Sequence, residues 1–283
     1  MIDSEAEPSS GLAEQLELFR EAHPVRQVTS SGMEWDFLVG GSGVQTLFLM
    51  PGITGKAEDH FALMVALEDE FRVISVGCPN DFSHVPDLMY AAALIMDDQS
   101  ILEACIVGHG LGAMFAECFM LQYPERTTGL ILANMAHPGT IREVMLRAIL
   151  GIAPFLPREW LNKQLTLGLH HLLQGSLDGE FWAPLLADSV TSLPKTGFED
   201  RIDCILDALP RYPTKRLDID AWRRRVLILD SDNDPAFTLS ERNALRELYP
   251  QAVAHELLGA GHFSPYTQPE EFTAVVRSFL NQY

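Results

Sequence analysis

Two rhythms of apolar and polar positions alternate along most of this chain. Short apolar or β-branched runs predict strands at Val25–Thr29, Trp35–Val39, Thr46–Met50, Arg72–Val76, Ala104–Val107, Gly129–Asn134, Val226–Asp230 and Ala252–Leu257. Helical spacing follows several of them, at Asp59–Glu68, Val85–Asp97, Ala113–Tyr123, Ser240–Tyr249 and Pro269–Leu280. Strands that alternate with helices require right-handed crossovers, so the expected fold is α/β with a mostly parallel, doubly wound eight-stranded sheet. The inner runs are almost continuously apolar, as expected when helices cover both faces of a sheet. Ahead of the first strand, Met1–Ser10 reads as a loose tail and Leu12–Phe19 as a short leading helix that ends before Pro24.

The rhythm breaks between the sixth and seventh runs. From about Pro138 to Arg224 the pattern is helical throughout and interrupted by Pro154, Pro157, Pro184, Pro194, Pro210 and Pro213. The expected organisation is a tail and short helix over 1–24, a core formed by 25–137 and 225–283, and an inserted helical cap over 138–224. Phe155, Trp160, Phe181 and Trp182 are the aromatics able to wall a pocket beneath that cap, with packing inside the cap as their competing role.

Composition narrows the partners. The 283 residues carry a formal charge of −19, which repels phosphate backbones and anionic lipid and excludes nucleic acid as an expected partner. A soluble surface is the plain reading of that charge, and attraction of a protein partner is the other. Cys78, Cys105, Cys118 and Cys204 form no Cys-x-x-Cys pair, and no Cys/His cluster has zinc spacing. His170 and His171 are adjacent on a helix and point apart, so they are no metal pair. Neither a metal nor an organic cofactor is implied. The start of the chain lacks the basic and apolar pattern of a signal peptide, and no run is long enough to span a membrane. A cytoplasmic location without membrane insertion is expected.

Four motifs sit at predicted strand ends. Met50-Pro51-Gly52-Ile53-Thr54-Gly55 follows the third strand. Gly108-His109-Gly110-Leu111-Gly112 joins the fifth strand to a helix in the form Gly-x-Gly-x-Gly. Asp230-Ser231-Asp232-Asn233-Asp234-Pro235 ends the seventh strand, and Gly259-Ala260-Gly261-His262-Phe263 follows the eighth. These segments, in this order, resemble the α/β-hydrolase superfamily, whose nucleophile, acid and base follow in the same order. The resemblance covers the chain from about residue 25 to its end. A narrower one, carried by Pro51–Phe61, Arg72–Ser75 and Leu245–Pro250, is to the maspardin branch, whose members are discussed as adaptor-like proteins.

The resemblance assigns roles residue by residue. Gly110 stands at the nucleophile position of the elbow, where the family carries a hydroxyl on a strained turn. His262 is the base, and Asp234 is the acid that orients it, with Asp232 and Asp230 as competitors in the same loop. The oxyanion hole would take its backbone N–H groups from Ile53 and Leu111, with Pro51 replacing the family's usual histidine. His109 is expected to pack beside the sheet, and His60, near the oxyanion loop, to lie on a surface helix, with a place facing the pocket as its alternative. Cys78 is a remote substitute for the missing serine.

Without Ser, Cys or Asp at 110, no acyl-enzyme forms at this elbow, and three readings remain open. One is a protein of ester or acyl hydrolase descent that kept its Asp–His pair and pocket for a small acyl-type ligand but lost its nucleophile. Another is a serine-independent lyase or oxygenase type of enzyme in which His262 acts on water or on a carbon acid. A third is a non-catalytic adaptor that binds a small ligand or a protein.

Overall fold

The computed structural model describes residues 8–137, 140–173, 178–212, 222 and 224–281. Its eight strands are β1 (Arg26–Ser30), β2 (Met33–Gly40), β3 (Thr46–Leu49), β4 (Arg72–Val76), β5 (Ala104–His109), β6 (Thr127–Ala133), β7 (Arg225–Ser231) and β8 (Val253–Leu257). Each lies within two residues of the strand expected from the apolar pattern. Among the described residues eleven helices accompany them: α1 (Pro8–Ala22), α2 (Phe61–Leu67), α3 (Val85–Asp98), α4 (Leu111–Gln122), α5 (Thr140–Ile152), α6 (Arg158–Leu172), α7 (Gly179–Ser192), α8 (Lys195–Arg211), α9 (Leu239–Leu248), α10 (Ser264–Thr267) and α11 (Pro269–Leu280). The leading helix is longer than expected and takes in residues 8–10 of the supposed tail, whose remainder, 1–7, lies outside the described residues. The helix expected over Asp59–Glu68 divides into a single 3-10 turn, Ala57–His60, and α2.

All eight strands form one sheet in the order β1-β2-β4-β3-β5-β6-β7-β8. From β4 to β8 every pair is parallel, while β1 and β2 run antiparallel at one edge. Ser31 and Gly32, both with positive φ, close the β1–β2 hairpin with the backbone that a two-residue turn of matching twist demands.

Side-chain alternation divides the core in two. Phe48, Ile106, Leu130, Leu132, Val226 and Ile228 face one layer with residues of α3, α4, α8 and α9. Leu47, Leu49, Val107, Ile131, Leu227 and Leu229 face the other, with residues of α1, α2, α7 and α11. Two buried faces per strand explain why the inner strands read as unbroken apolar runs.

Chain order reverses between β3 and β5, which are neighbours in the sheet although β4 lies on the far side of β3. In open parallel sheets a ligand crevice forms at such a switch, outside the carboxyl ends of the strands. The loops after β3 and β5 therefore meet there. Helices α5–α8 stand between β6 and β7 in the chain. Two of them reach back to the body. Trp182 of α7 meets Phe61 at a tilt and Tyr266 edge-on, and the fully enclosed Arg201 of α8 donates to the carbonyls of Pro79 and Phe82.

Candidate active site

The turn from β5 into α4 is set by its glycines. A Cβ on Gly108 would lie 2.1 Å from the Gly112 carbonyl oxygen, and one on Gly112 would lie 2.8 Å from that of Met50. Neither position tolerates a side chain, because strand, helix and the loop after β3 touch through their backbones. Gly110, at the apex, has φ 55° and ψ −118°, a conformation in which side-chain-bearing residues are strained. Its N–H donates to the Ala133 carbonyl at 2.9 Å. A Cβ built on Gly110 meets only His262, at 3.4 Å from Nε2 and 3.8 Å from Cε1. The apex thus offers ordinary contact space on the side where His262 stands.

His262 and Asp234 are brought together by two loops. His262 Nδ1 lies 3.0 Å from Asp234 Oδ2. A carboxylate only accepts, so the proton is on Nδ1 and Nε2 presents its lone pair toward Gly110. Asp234 Oδ1 accepts from the Ala236 N–H at 2.7 Å, and Oδ2 accepts also from Asn134 Nδ2 at 3.2 Å. Burial alone pushes the Asp234 carboxyl upward, but the bonds from His262, Ala236 and Asn134 prevail and hold it below the ordinary carboxylate range.

The same loops are stitched by side chains to backbone. Asp232 Oδ1 accepts from the Gly259 N–H at 2.7 Å, and Asn233 Oδ1 accepts from the Gly261 N–H at 2.8 Å. Gly259 and Gly261 both have positive φ, which lets the histidine loop turn toward these acceptors. The competitors for the acid role are otherwise engaged. Asp232 holds Gly259, and buried Asp230 pairs with Arg246 at 2.9 Å. Asp230 is raised to about 6 because burial outweighs Arg246. Asn134, which the sequence did not single out, follows β6 with φ 45°. It donates to both Asp234 and the Gly261 carbonyl, and accepts from Ser264.

The loop after β3 packs against the start of α4 through Gly112, whose Cβ would also lie 3.1 Å from the Pro51 carbonyl oxygen. Leu111 is the first residue of α4, so its N–H has no acceptor within the helix. Among the described residues the Ile53 N–H likewise donates to no backbone group.

Beside this loop lie two small cavities, of about 30 and about 20 Å³. Asp59, His60, His109 and Tyr266 line both, Ile53 and Thr54 line the larger, and Leu169 of α6 and Leu186 of α7 close the larger from the inserted helices. His60 therefore lines both cavities and is not a surface helix residue. Asp59 Oδ2 accepts from the Thr54 hydroxyl, and burial raises the carboxyl to about 7 despite that bond. Burial also lowers His60 to about 4 and His109 to about 3. Burial pushes the Tyr266 hydroxyl upward, with the Asp59 charge adding to the effect.

The pocket aromatics are placed differently. Phe155 is 85% exposed and Trp160 48% exposed, so neither covers a cavity. Trp182 is buried, but its ring is spent on Phe61, Phe181 and Tyr266. Aliphatic Leu169 and Leu186 take the role expected of them. Cys78 is not beside the elbow. It lines a cleft of about 510 Å³ on the α1 side of the loop after β3, together with Phe19, Lys56 and Asn80, and burial raises its thiol.

Comparison with known proteins follows this geometry. The family model described as Alpha/beta hydrolase family matches residues 47–275. The chain is 22% identical over 266 residues to the sn-1-specific diacylglycerol lipase ABHD11 of Mus musculus, covering 88% of this chain and 85% of that protein. It is also 22% identical over 257 residues to the esterase YbfF of Escherichia coli (strain K12), with 83% and 92% covered. Among solved structures, a hydrolase from Pseudomonas aeruginosa PA01 superposes with a TM-score of 0.76 at 18% identity, covering 91% of this chain and 98% of that one. Among the described residues no helix is long and apolar enough to cross a membrane.

Proposed function

We propose that the chain, which belongs to the alpha/beta hydrolase family, is an acyl hydrolase scaffold whose nucleophile position is occupied by glycine. Its ligands are carboxylic esters or closely related acyl compounds. The observation that carries this reading is the open Cβ position of Gly110, 3.4 Å from His262 Nε2. A serine there would set its hydroxyl within reach of a base that already has its orienting acid. Similarity to a lipase and an esterase supports the substrate class.

With a hydroxyl at 110, His262 Nε2 would take its proton as the oxygen attacks the carbonyl carbon, and Asp234 would stabilise the imidazolium. The Ile53 and Leu111 N–H groups would receive the oxyanion. His262 would then protonate the leaving group, and water would release the acyl product. As it stands, the chain binds acyl ligands and turns them over only as far as binding and the oxyanion donors allow. The inserted helices serve as the roof of the pocket. A second reading keeps His262 as the base for a water seated over Gly110, since the bare Nε2 faces that space.

Hydrolysis of a panel of chromogenic esters by the chain, by Gly110→Ser and by His262→Ala tests both. Turnover that emerges only in Gly110→Ser supports the scaffold reading. Turnover already present, and lost in His262→Ala, supports the water reading. Silence in all three defeats both and favours an adaptor.

A further inference from the structure

Three acceptors that the acid–base pair does not use belong to residues that line cavities beside the loop after β3. The first is Asp59 Oδ1, which is buried and has no hydrogen-bond partner, while Oδ2 is held by Thr54. The second is on His60. Ser75 donates its one hydroxyl proton to the Ala57 carbonyl at 2.8 Å, so toward His60 Nδ1, 2.9 Å away, it can only accept. His60 thus carries its proton on Nδ1 and leaves Nε2 bare. The third is on His109, whose Nε2 lies 2.6 Å from the His262 carbonyl oxygen. A carbonyl only accepts, so the His109 proton is on Nε2 and Nδ1 is bare.

All three residues line the same two cavities, and Ile53 and Thr54 line the larger with them. The larger is roofed by Leu169 and Leu186. Of the donors that line this space, the Tyr266 hydroxyl and the Ile53 N–H have no acceptor among the described residues, and the latter is assigned to the carbonyl oxygen. A buried acceptor left without a donor is costly. The larger volume, about 30 Å³, suits one small polar group. Among the described residues shared by both linings, the His60 and His109 N–H groups are spent on Ser75 and the His262 carbonyl, and Tyr266 adds a single hydroxyl proton.

We infer that Asp59, His60 and His109 form a subsite that reads a hydrogen-bond donor on the substrate, a hydroxyl or amide N–H on the carbon next to the reacting carbonyl. The short reach follows from Ile53, whose backbone is assigned to the carbonyl oxygen and which also walls the cavity. Burial keeps both imidazoles neutral, and Asp59 accepts through Oδ1 only as a carboxylate, so binding is measured above the value of about 7 to which burial raises it. This inference deepens the acyl hydrolase reading and rests on it.

Methyl glycolate and methyl propionate test it, because they differ only by a hydroxyl in place of a methyl. Their dissociation constants are measured by ligand-observed NMR on the unmodified chain and on Asp59→Asn. In the variant, Thr54 still donates to the side-chain oxygen, so the amide NH₂ takes the place of Oδ1 and offers donors instead of an acceptor. The unmodified chain is expected to bind the glycolate ester about tenfold more tightly, and Asp59→Asn to bind the two equally or prefer the propionate. Equal binding by the unmodified chain, binding of neither ester, or a glycolate preference that persists in Asp59→Asn overturns the inference. If Gly110→Ser hydrolyses neither ester while the binding preference holds, the hydrolase reading fails and the donor subsite stands.

Discussion

The two halves of the candidate site are built by opposite means. The elbow half is shaped by what is missing: Gly108 and Gly112 exclude side chains so that backbones touch, and Gly110 holds a strained apex without one. The acid–base half is shaped by what is present. Asp232, Asn233, Asp234 and Asn134 each bond across to another loop or strand end. A turn coded in backbone keeps its shape when its one reactive side chain is lost. A pair of loops coded in side chains keeps its shape only while those side chains remain.

Substitutions in each half should separate these modes. The largest effect expected is chemical: Gly110→Ser should raise ester hydrolysis by about 10³-fold or more, read as initial rates against the parent chain. It should also lower stability by about 1–2 kcal/mol, since φ 55° suits glycine, and a small loss of melting temperature would show it. Gly108→Ala drives a methyl to within 2.1 Å of the Gly112 carbonyl oxygen, and should cost about 3 kcal/mol or more in urea unfolding. A stable Gly108→Ala protein would break the idea that the elbow is held by backbone contact.

On the other half, Asn134→Ala removes the donor shared by Asp234 and Gly261 and leaves their oxygens underserved. A loss of about 2 kcal/mol is expected, together with reduced turnover in a Gly110→Ser background. The smallest effect lies at the edge of the acid loop. Arg142 of α5 grips Glu241 through two bonds of 3.0 Å, and its guanidinium sits 5.2 Å over Phe237, which meets His262 edge-on. The Arg142 bond leads the causes that lower Glu241 to about 2. A depressed carboxylate contributes its stability above its unfolded value near 4.5, and that share is lost as the pH falls from there through about 2. Glu241→Gln should therefore flatten the acid limb of the stability curve, by about 1 kcal/mol given the solvent that reaches the pair.

Much of this was legible in the sequence. Apolar or β-branched runs located all eight strands, the largely exposed edge strands β1 and β8 included, and the four glycine- and acid-rich turns marked the strand ends where the candidate site lies. The resemblance favours Asp234 as the acid over Asp230 and Asp232, but the loop's own residues do not separate the three, because only the distant partners Arg246, Gly259 and His262 distinguish them. Asn134 was invisible for the same reason, since its contacts lie about a hundred residues away or more. The aromatic pocket was misplaced because size and apolarity do not say which way a helix faces. Phe155 and Trp160 face solvent, and Leu169 and Leu186 face the cavity. His60 was assigned to the surface because helical spacing cannot register a serine on a neighbouring strand.

The bonds around Asp234 bear on how such a site persists through descent. This carboxylate caps the Ala236 amide and receives Asn134, so it serves folding even where no chemistry occurs. Purifying selection on foldability alone can then preserve an acid–base pair long after turnover has ceased to matter to the cell. Glycine and serine codons can differ by one base, so under the proposed acyl hydrolase reading the nucleophile is one mutational step away, and the bonds that would orient its base are held by an unrelated duty.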